Sequence, residues 1–433
     1  VAYQKNCYLT YWADYCENAF YSTFLLRFKD SLDCYRMKDS ELCYEDIGCN
    51  KCYSTYFSEE CDSCTDIWFS RNLAGCSNCF GCINLRNKNY YIFNEPYTKE
   101  DYFKKLEELK INSRSSLSQL QRKVQDFWLK YPRREYTGNS LNINVSGDYI
   151  YESKNSLDSY MITGAEDSRY SQFLNFAPSK DCYDYSGWGN HAEKIYESCV
   201  VGEGASEIKF SYGCWPDILN IEYSIYAIGC KNVFGCVNLK RKSYCILNKE
   251  HSKEDYEKLV TQIKEDMVKN PYQDASGKAY PYGEFFPMEF SPFAYNETLS
   301  HRFFPKTKEE VISQKLNWHE KEENQYTVTA NGNDLPDTIQ ETTDEITKEV
   351  VGCSECGKAF KITPAELNLM RKLQLPPPSQ CPNCRNERRF KRTNLPKLYE
   401  RTCAKCAKSI TTSYAPDRPE IVYCETCYQN EVV

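Results

Sequence analysis

Residues 75–85 read GCSNCFGCINL and residues 229–239 read GCKNVFGCVNL, with an offset of 154 positions and no gap. The similarity continues into a helix start, so that 17 of the 30 positions from Gly75 to Lys104 are identical to those from Gly229 to Lys258. A long match at one fixed offset is typical of an internal duplication. The chain therefore predicts two copies of one unit, residues 1–135 and 136–270.

Cysteines in the first unit recur at multiples of nine residues. An α-helix repeats every 3.6 residues and a strand every two, so neither produces this rhythm. A solenoid of short strands produces it when each coil takes about 18 residues. We therefore predict a mainly β fold with flanking helices, in which each unit is a parallel β-helix or a related β-solenoid. Two small β-rich domains clamped by metal are the alternative. The cysteines on this rhythm are Cys7, Cys16, Cys34, Cys43, Cys52, Cys61 and Cys79.

Several of the cysteines between Cys7 and Cys82 have Cys-x-x-Cys spacing, at which two thiolates can bind one metal ion. Cysteine is also a small apolar residue that fills narrow interior columns. The second unit has Val233 in place of Cys79 and contains no Cys-x-x-Cys between residues 140 and 270. A ligand set does not tolerate that loss, whereas a packing column does. We therefore predict packing, with metal binding and disulfides as alternatives.

Each unit ends in a predicted helix. Thr98 precedes Asp101 by three residues, which is a helix-capping pattern, and Ser252 repeats it in the second unit. A second amphipathic run spans Leu117–Leu129. Because an unpaired sheet edge invites aggregation, we expect these helices to close the ends of the solenoids.

Residues 271–305 combine many prolines with many aromatic side chains. Proline at this density excludes a long helix, and we predict an extended strap packed over the repeat units. A groove-binding surface is the alternative. Residues 306–350 are polar and charged and are predicted to be a tether with a short helix at Lys306–Leu316.

Residues 351–433 contain four Cys-x-x-Cys knuckles, enough for two zinc ribbons with four cysteine ligands each. Four thiolates around each Zn²⁺ leave no position for water, so both sites are predicted to be structural. Modules this small do not fold without their metal. Pairing of successive knuckles is expected, with cross-braced pairing as the alternative. The predicted ligands are Cys353, Cys356, Cys381, Cys384, Cys403, Cys406, Cys424 and Cys427.

The same segment is basic, with 14 lysines and arginines against 8 acidic residues, whereas the first 350 residues have 40 against 53. A cationic strip with interleaved aromatic residues suits phosphate contacts and base stacking. It could equally neutralise the charge of its own metal–thiolate sites. The predicted nucleic-acid contacts are Arg385, Arg388, Arg389, Lys391, Arg392, Lys397 and Arg401.

The whole chain resembles an uncharacterised family of bacterial proteins from small-genome lineages. The resemblance rests on the doubled Phe-Gly-Cys-(Ile/Val)-Asn-Leu blocks, on residues 282–287 and 291–298, and on the tail segments 398–403 and 414–420. It implies the duplicated architecture and the pair of four-cysteine zinc ribbons, and it implies no activity.

Together these features predict a non-enzymatic zinc protein that docks a nucleic acid, such as RNA, or a ribonucleoprotein, such as the ribosome, through its basic tail, with the repeat body as a scaffold. The alternative is a structural, cell-surface or particle protein whose solenoid binds protein or glycan. A third hypothesis is an enzyme that uses either Cys199, with His191 as its base, or an acidic groove on the solenoid. Without an apolar run of about 18 residues no membrane span is expected. Eight reduced thiolates favour the cytoplasm.

Overall fold

The computed structural model describes residues 2–139, 141–320 and 326–432. It is mainly β with flanking helices, as predicted. Two stacks of strands, parallel except for the last strand of each, form a nine-stranded and a twelve-stranded sheet. Within the described residues no strand pairs across the two. The duplication has therefore produced two separate β-helices.

The first β-helix begins at the start of the chain and is followed by two helices. Its strands are β1 (Ala2–Lys5), β2 (Tyr11–Phe20), β3 (Thr23–Leu32), β4 (Tyr35–Tyr44), β5 (Tyr53–Tyr56), β6 (Thr65–Trp68), β7 (Ser77–Phe80), β8 (Asn89–Ile92) and β9 (Glu95–Pro96). Helices α1 (Lys99–Leu109) and α2 (Arg114–Trp128) come next, and then the short strand β10 (Arg133–Arg134).

The second β-helix is followed by one long helix. Its strands are β11 (Gly147–Tyr151), β12 (Ser159–Thr163), β13 (Ala165–Glu166), β14 (Gln172–Leu174), β15 (Ser179–Lys180), β16 (Tyr183–Gly189), β17 (Ala192–Gly202), β18 (Ala205–Lys209), β19 (Ile218–Glu222), β20 (Lys231–Phe234), β21 (Ser243–Ile246) and β22 (Lys249–Glu250), and α3 is Lys253–Lys269.

Short strands and α-helices follow in the rest of the described chain, together with 3-10 helices at Met288–Phe290, Tyr295–Glu297, Gly332–Asp334 and Asp344–Thr347. The strands and α-helices are β23 (Tyr272–Gln273), β24 (Ala279–Tyr280), α4 (Leu299–Phe303), α5 (Lys308–Ser313), β25 (Ala330–Asn331), β26 (Val351–Gly352), β27 (Ala359–Phe360), α6 (Pro364–Leu373), α7 (Pro382–Phe390), β28 (Tyr399–Thr402), β29 (Ser409–Thr412), β30 (Val422–Tyr423) and α8 (Glu425–Val432).

Each coil of the first β-helix contains 12 residues, so the predicted coil of 18 is wrong. Leu32 pairs with Tyr44, which pairs with Tyr56. Every third residue from Tyr3 to Phe93 has a left-handed φ between 47° and 68°. The chain therefore turns a corner after every triplet, and four triplets complete a coil. The nine-residue cysteine rhythm counts three triplets, which is why it did not reveal the coil length.

One residue of each triplet points inward, and this position holds all eleven cysteines between Cys7 and Cys82. Because a 12-residue coil is narrow, its four inward side chains are mostly small, as in the coil with Cys61, Cys64, Ile67 and Ser70. Their thiols and hydroxyls bond to the backbone; Cys61 Sγ donates to the carbonyl of Glu59 at 3.5 Å. Among the described residues, only the C-terminal cysteines bring three or more ligand atoms within 4.8 Å of one another. This favours packing for the interior thiols.

The helices cover the ends of the two stacks. The Thr98 hydroxyl accepts the backbone N–H of Asp101 at 3.1 Å, and Ser252 caps α3 in the same way. Tyr102 of α1 is buried against the last coils of the first β-helix, and Tyr256 of α3 is buried in the second. No helix in the described part of the chain is long and apolar enough to cross a bilayer.

The two β-helices contact each other through aromatic side chains. The ring of Phe173 lies 5.4 Å from that of Phe24 and 6.2 Å from that of Trp12. The guanidinium of Arg36 lies 3.9 Å from the centre of the Tyr149 ring. These contacts hold the two stacks side by side.

The segments between the second β-helix and the cysteine tail pack on the β-helices. In the predicted strap, the ring of Tyr282 lies 5.7 Å from that of Phe210. The later part of the predicted tether is anchored: the N–H of Arg114 donates to the carbonyl of Asp337 at 2.9 Å, and Ile339 and Ile346 are buried. Apolar residues at just these points fix a segment whose overall composition is polar. Residues 321–325 of that segment lie outside the described residues.

Candidate metal centres

The eight C-terminal cysteines form two groups of four. Within each group all the sulfur atoms lie within 4.8 Å of one another. Successive knuckles share a site, so the arrangement is sequential and not cross-braced. One group is Cys353, Cys356, Cys381 and Cys384, and the other is Cys403, Cys406, Cys424 and Cys427.

The first knuckle of each group is the same tight turn. In the first group the N–H of Gly357 donates to the Cys353 carbonyl at 2.9 Å, and Gly357 has a φ of 71°. In the second group Ala407 makes the same bond to Cys403 at 2.9 Å with a φ of 59°. This turn brings the two thiols of a Cys-x-x-Cys pair to the same side of the chain.

The second knuckle of each group lies where a helix begins. Cys381 caps α7, and Pro382 occupies the first turn, where its missing N–H costs nothing. The N–H of Cys381 donates to Cys353 Sγ at 3.2 Å, and the N–H of Cys424 donates to Cys403 Sγ at 3.2 Å. Both sites thus combine thiols with backbone donors aimed at sulfur.

These donors favour the thiolate form of the first cysteine in each group. Burial raises the pKa of the Cys353 thiol, but the N–H groups of Cys356 and Cys381 outweigh burial and lower the pKa to about 7. At Cys403 burial again raises the pKa, and the N–H groups of Cys424 and Cys406 lower it to about 6. Deprotonated thiols are the form that binds metal.

The sulfur spacing fits a tetrahedral zinc site. Zn–S bonds of about 2.3 Å in a tetrahedron place neighbouring sulfur atoms about 3.8 Å apart. The sulfur atoms of Cys356 and Cys381 are 3.9 Å apart, and those of Cys406 and Cys424 are 3.8 Å apart. Cys356 and Cys406 are exposed and the other six are at least partly buried, which leaves a path for a metal ion to enter. Each group could therefore hold one metal ion in a closed shell.

Two of the predicted nucleic-acid contacts are buried. Arg385 and Arg389 are each 1% exposed. Arg385 Nη1 lies 2.7 Å from Asp33 Oδ2, and Arg389 Nη1 donates to Asp33 Oδ1 at 2.8 Å and to Glu45 Oε1 at 3.0 Å. Arg385 Nη2 also donates to Glu366 Oε1 at 3.0 Å. This burial does not agree with their predicted role as nucleic-acid contacts, because acidic groups of the first β-helix and α6 occupy the place of phosphates.

The other members of the strip divide between the β-helix and solvent. Arg388 Nη2 donates to Glu45 Oε1 at 2.7 Å, and Arg392 Nε donates to Glu59 Oε1 at 2.7 Å. These two arginines are thus also engaged within the chain. Lys391 and Lys397 are exposed, and Arg401 donates to the carbonyls of Ala415 and Glu420 at 3.3 and 3.2 Å.

The carboxylates that hold these arginines were not predicted from the sequence. Burial raises the pKa of Glu59, but the charges of Arg392 and Arg71 outweigh burial and lower it to about 2. Asp33 and Glu45 are 12 residues apart, which places them in successive coils on one face. That spacing was a usable signal only once the coil length was known.

The cysteine tail also contacts the second β-helix. The side-chain amide of Asn394 donates to Asp148 Oδ2 at 3.0 Å, and its N–H donates to the Tyr149 hydroxyl at 2.8 Å. Strand β30 pairs with β10, the link between the two β-helices. The tail therefore holds both β-helices together.

For the third hypothesis, catalysis by Cys199, the described residues show no contact that would activate the thiol. Burial raises the pKa of the Cys199 thiol to about 11. His191 Nδ1 lies 3.1 Å from Asn190 Oδ1, and no hydrogen bond joins it to Cys199 in the described chain. Nothing here generates the thiolate that a nucleophile requires.

Similarity to known proteins does not identify a family for this chain. No protein-family model and no curated protein matches the chain. One similar solved structure is a protein of Desulfovibrio desulfuricans G20 described as a "putative acetyltransferase". The match has 8% identity and a TM-score of 0.12, and it covers 65% of this chain and 86% of the other. At that TM-score the similarity carries no inference.

Proposed function

We propose that this protein is a non-enzymatic scaffold in which two zinc ribbons clamp two β-helices into one body that binds a partner macromolecule. The observation that carries the proposal is the buried pairing of Arg385 and Arg389 with Asp33. It joins the helix that begins at a cysteine cluster to the first β-helix. Because α7 begins at Cys381, binding of Zn²⁺ would fix its first turn and hold these arginines in register.

The chemistry of the ligands supports a structural role for the metal. Four thiolates saturate Zn²⁺ and leave no site for an activated water. The first cluster adjoins the interface between α7 and the first β-helix, where Arg385 and Arg389 are buried. We further propose that the protein works in a reducing compartment, the cytoplasm, since oxidation to disulfides would remove the ligands.

Metal analysis and chelation test this function. We expect two zinc ions per chain and 25 free thiols after metal removal in denaturant, because the sequence has 25 cysteines. Chelation under native conditions should lower the melting temperature and open residues 351–433 to protease. A chain that keeps its melting temperature and protease resistance without metal would refute the clamp, and oxidised cysteine pairs would refute the compartment.

Docking of RNA is the second candidate, and exposure of Lys391 and Lys397 is the observation that favours it. With Arg401 these are the remaining members of the strip, and three cations can release few counterions. Gel-shift titration should therefore show, at most, binding with a salt slope of about −3. Binding of RNA that survives Lys391→Ala with Lys397→Ala would place any RNA site elsewhere.

A further inference from the structure

The duplication allows the faces of the two β-helices to be matched coil by coil. Phe80 and Phe234 occupy the same place in the duplicated block, and each belongs to a ladder of paired residues. Counting back along both ladders aligns residues that sequence comparison alone does not. The first ladder is Phe80, Trp68, Tyr56, Tyr44, Leu32 and Phe20, and the second is Phe234, Glu222, Lys209, Tyr196, Tyr183 and Arg169.

In each β-helix, the residues that directly follow the ladder residues in the sequence lie together on one outer face. In the first β-helix three of these residues are Tyr21, Asp33 and Glu45. They form the seat for Arg385, Arg388 and Arg389: the guanidinium of Arg385 lies 4.9 Å from the centre of the Tyr21 ring, and the two carboxylates accept or pair with all three arginines. Asp33 and Glu45 are completely buried beneath α7.

The matching residues of the second β-helix are Tyr170, Asp184 and Glu197. The pattern of one tyrosine and two carboxylates in successive coils is thus repeated. Here it is only partly covered: Tyr170 is 42% exposed, with the guanidinium of its neighbour Arg169 4.6 Å from its ring centre, and Tyr183 is 40% exposed. Asp184 is exposed, and no hydrogen bond or ion pair reaches its carboxylate from the described part of the chain.

From Glu197 onward the chain itself occupies this face, and one carboxylate oxygen of Glu197 already accepts a hydrogen bond. In the coils that follow, Tyr282 of the strap packs on Phe210 and Tyr223, and the N–H of Phe285 donates to Glu197 Oε2 at 2.8 Å. Further along, α3 covers Phe234 and Ile246. The open coils therefore continue an interface that is established on both β-helices.

We propose that Tyr170, Asp184 and Glu197 form a second guanidinium seat, which binds an arginine-bearing helix of another protein. The spacing of Arg385, Arg388 and Arg389 indicates the pattern that fits: arginines at positions i, i+3 and i+4 of one helix face. Arginine suits the seat better than lysine because its planar fork can pair with two carboxylates and lie against a tyrosine ring. Phosphate-bearing partners are excluded by like charge.

The α7 helix of a second copy does not fit the seat, since its Arg385 and Arg389 are buried against its own first β-helix. The inference deepens the proposed scaffold function by naming the chemistry of the partner. Its test uses the metal-loaded full chain, so that a negative result leaves the zinc clamp untouched.

The probe is a fluorescent peptide copying residues 382–394 with Cys384→Ser, titrated by anisotropy. The seat on the first β-helix is filled, so we expect saturable binding at the second. The Asp184→Asn, Glu197→Gln double variant should bind at least tenfold more weakly, as should a peptide with lysine in place of its arginines. A photoreactive peptide should crosslink between Tyr170 and Glu197.

The matched control is Asp181→Asn with Glu193→Gln, which removes the same charge from exposed positions nearby. Asp181 and Asp184 both have a left-handed φ, a conformation that asparagine tolerates, and melting curves check that each variant folds. Equal weakening in the control, unchanged binding in the double variant, or no saturable binding would overturn the seat. Self-association lost in the double variant would make the occupant a second copy and overturn the proposed partner.

Discussion

Arg389 donates from Nη1 to Oδ1 of Asp33 at 2.8 Å, with the arginine 1% exposed and the aspartate completely buried. The two residues are 356 positions apart. Their pairing joins the helix that begins at the second knuckle to the first β-helix. A buried pair of this kind is costly to break from one side, because the remaining charge stays away from water.

Asp33→Asn should therefore destabilise the protein by about 3–5 kcal/mol. Asparagine keeps the shape of the side chain and removes the charge that Arg385 and Arg389 share. Urea denaturation of the metal-loaded protein measures the loss. Zinc content should remain two ions per chain, because no ligand is touched.

Glu108→Gln is the control for this change. It removes the partner of Lys105 in an exposed pair at 2.6 Å, and such pairs contribute little. We expect no measurable change in the urea midpoint. A loss at Asp33 no larger than that at Glu108 would show that the interface with α7 does not depend on its charges.

Coil length decides how much of this structure can be predicted from the sequence. The repeat at residues 75–85 and 229–239 was enough to predict two β-helices, because the match includes inward cysteines and corner residues. The coil length could not be inferred from the cysteine spacing, because Cys7, Cys16 and Cys34 are separated by whole triplets and not by whole coils. With coils of 18 residues Asp33 and Glu45 fall on different faces. With coils of 12 they stack, and the arginines of α7 acquire partners.

The cysteine knuckles were readable because metal binding is local. Four residues fix each Cys-x-x-Cys turn, so Cys353 and Cys356 need no knowledge of the fold. The ion-pair partners of Arg385, by contrast, are carboxylates from distant parts of the chain, so they depend on the whole fold. A basic strip in a sequence therefore indicates charge and does not indicate whether solvent or protein faces that charge.

Cys79→Val should be tolerated, with a loss below about 1.5 kcal/mol. Cys79 is completely buried in the first β-helix, and Val233 fills the matching place in the second. Zinc content should stay at two ions per chain. Metal analysis with thermal unfolding measures both effects.

Cys381→Ser provides the contrast. This substitution removes a ligand from the first cluster, so it should reduce zinc to one ion per chain and lower the melting temperature markedly. If Cys79→Val also released metal, the interior thiols would be ligands and their packing role would be wrong.

Asp46 should make the protein less stable as pH rises. Burial raises the pKa of its carboxyl well above 3.8, against hydrogen bonds from Thr55 and from the N–H of Ser58. The folded state therefore holds a proton that the unfolded state releases. The resulting stability is fully present below pH 3.8 and is lost as pH rises through the folded pKa. Asp46→Asn should remove this decline in urea titrations across pH.

Glu59 has the opposite effect on how stability changes with pH. Its pKa is lowered to about 2 by the arginines around it, so its contribution is present above pH 4.5 and is lost as pH falls towards 2. Glu59→Gln should lower the free energy of unfolding at neutral pH. It should also reduce the loss of stability that the wild type shows as the pH falls towards 2. Identical pH profiles for the Asp46 and Glu59 variants would contradict both assignments.

Ser70→Ala should cost about 1–3 kcal/mol, because it leaves a buried donor without a partner. Ser70 is completely buried and points into the first β-helix, where its hydroxyl accepts the N–H of Cys82 at 3.1 Å. Ser224 stands at the matching place in the second β-helix and accepts the N–H of Cys236 at the same distance. Because the two sites are copies, Ser224→Ala should cost a similar amount. Hydrogen exchange should become faster at Cys82 in one variant and at Cys236 in the other. Ser118→Ala on the exposed face of α2 should change neither, and equal exchange in all three variants would show that these hydroxyls do not hold the coils together.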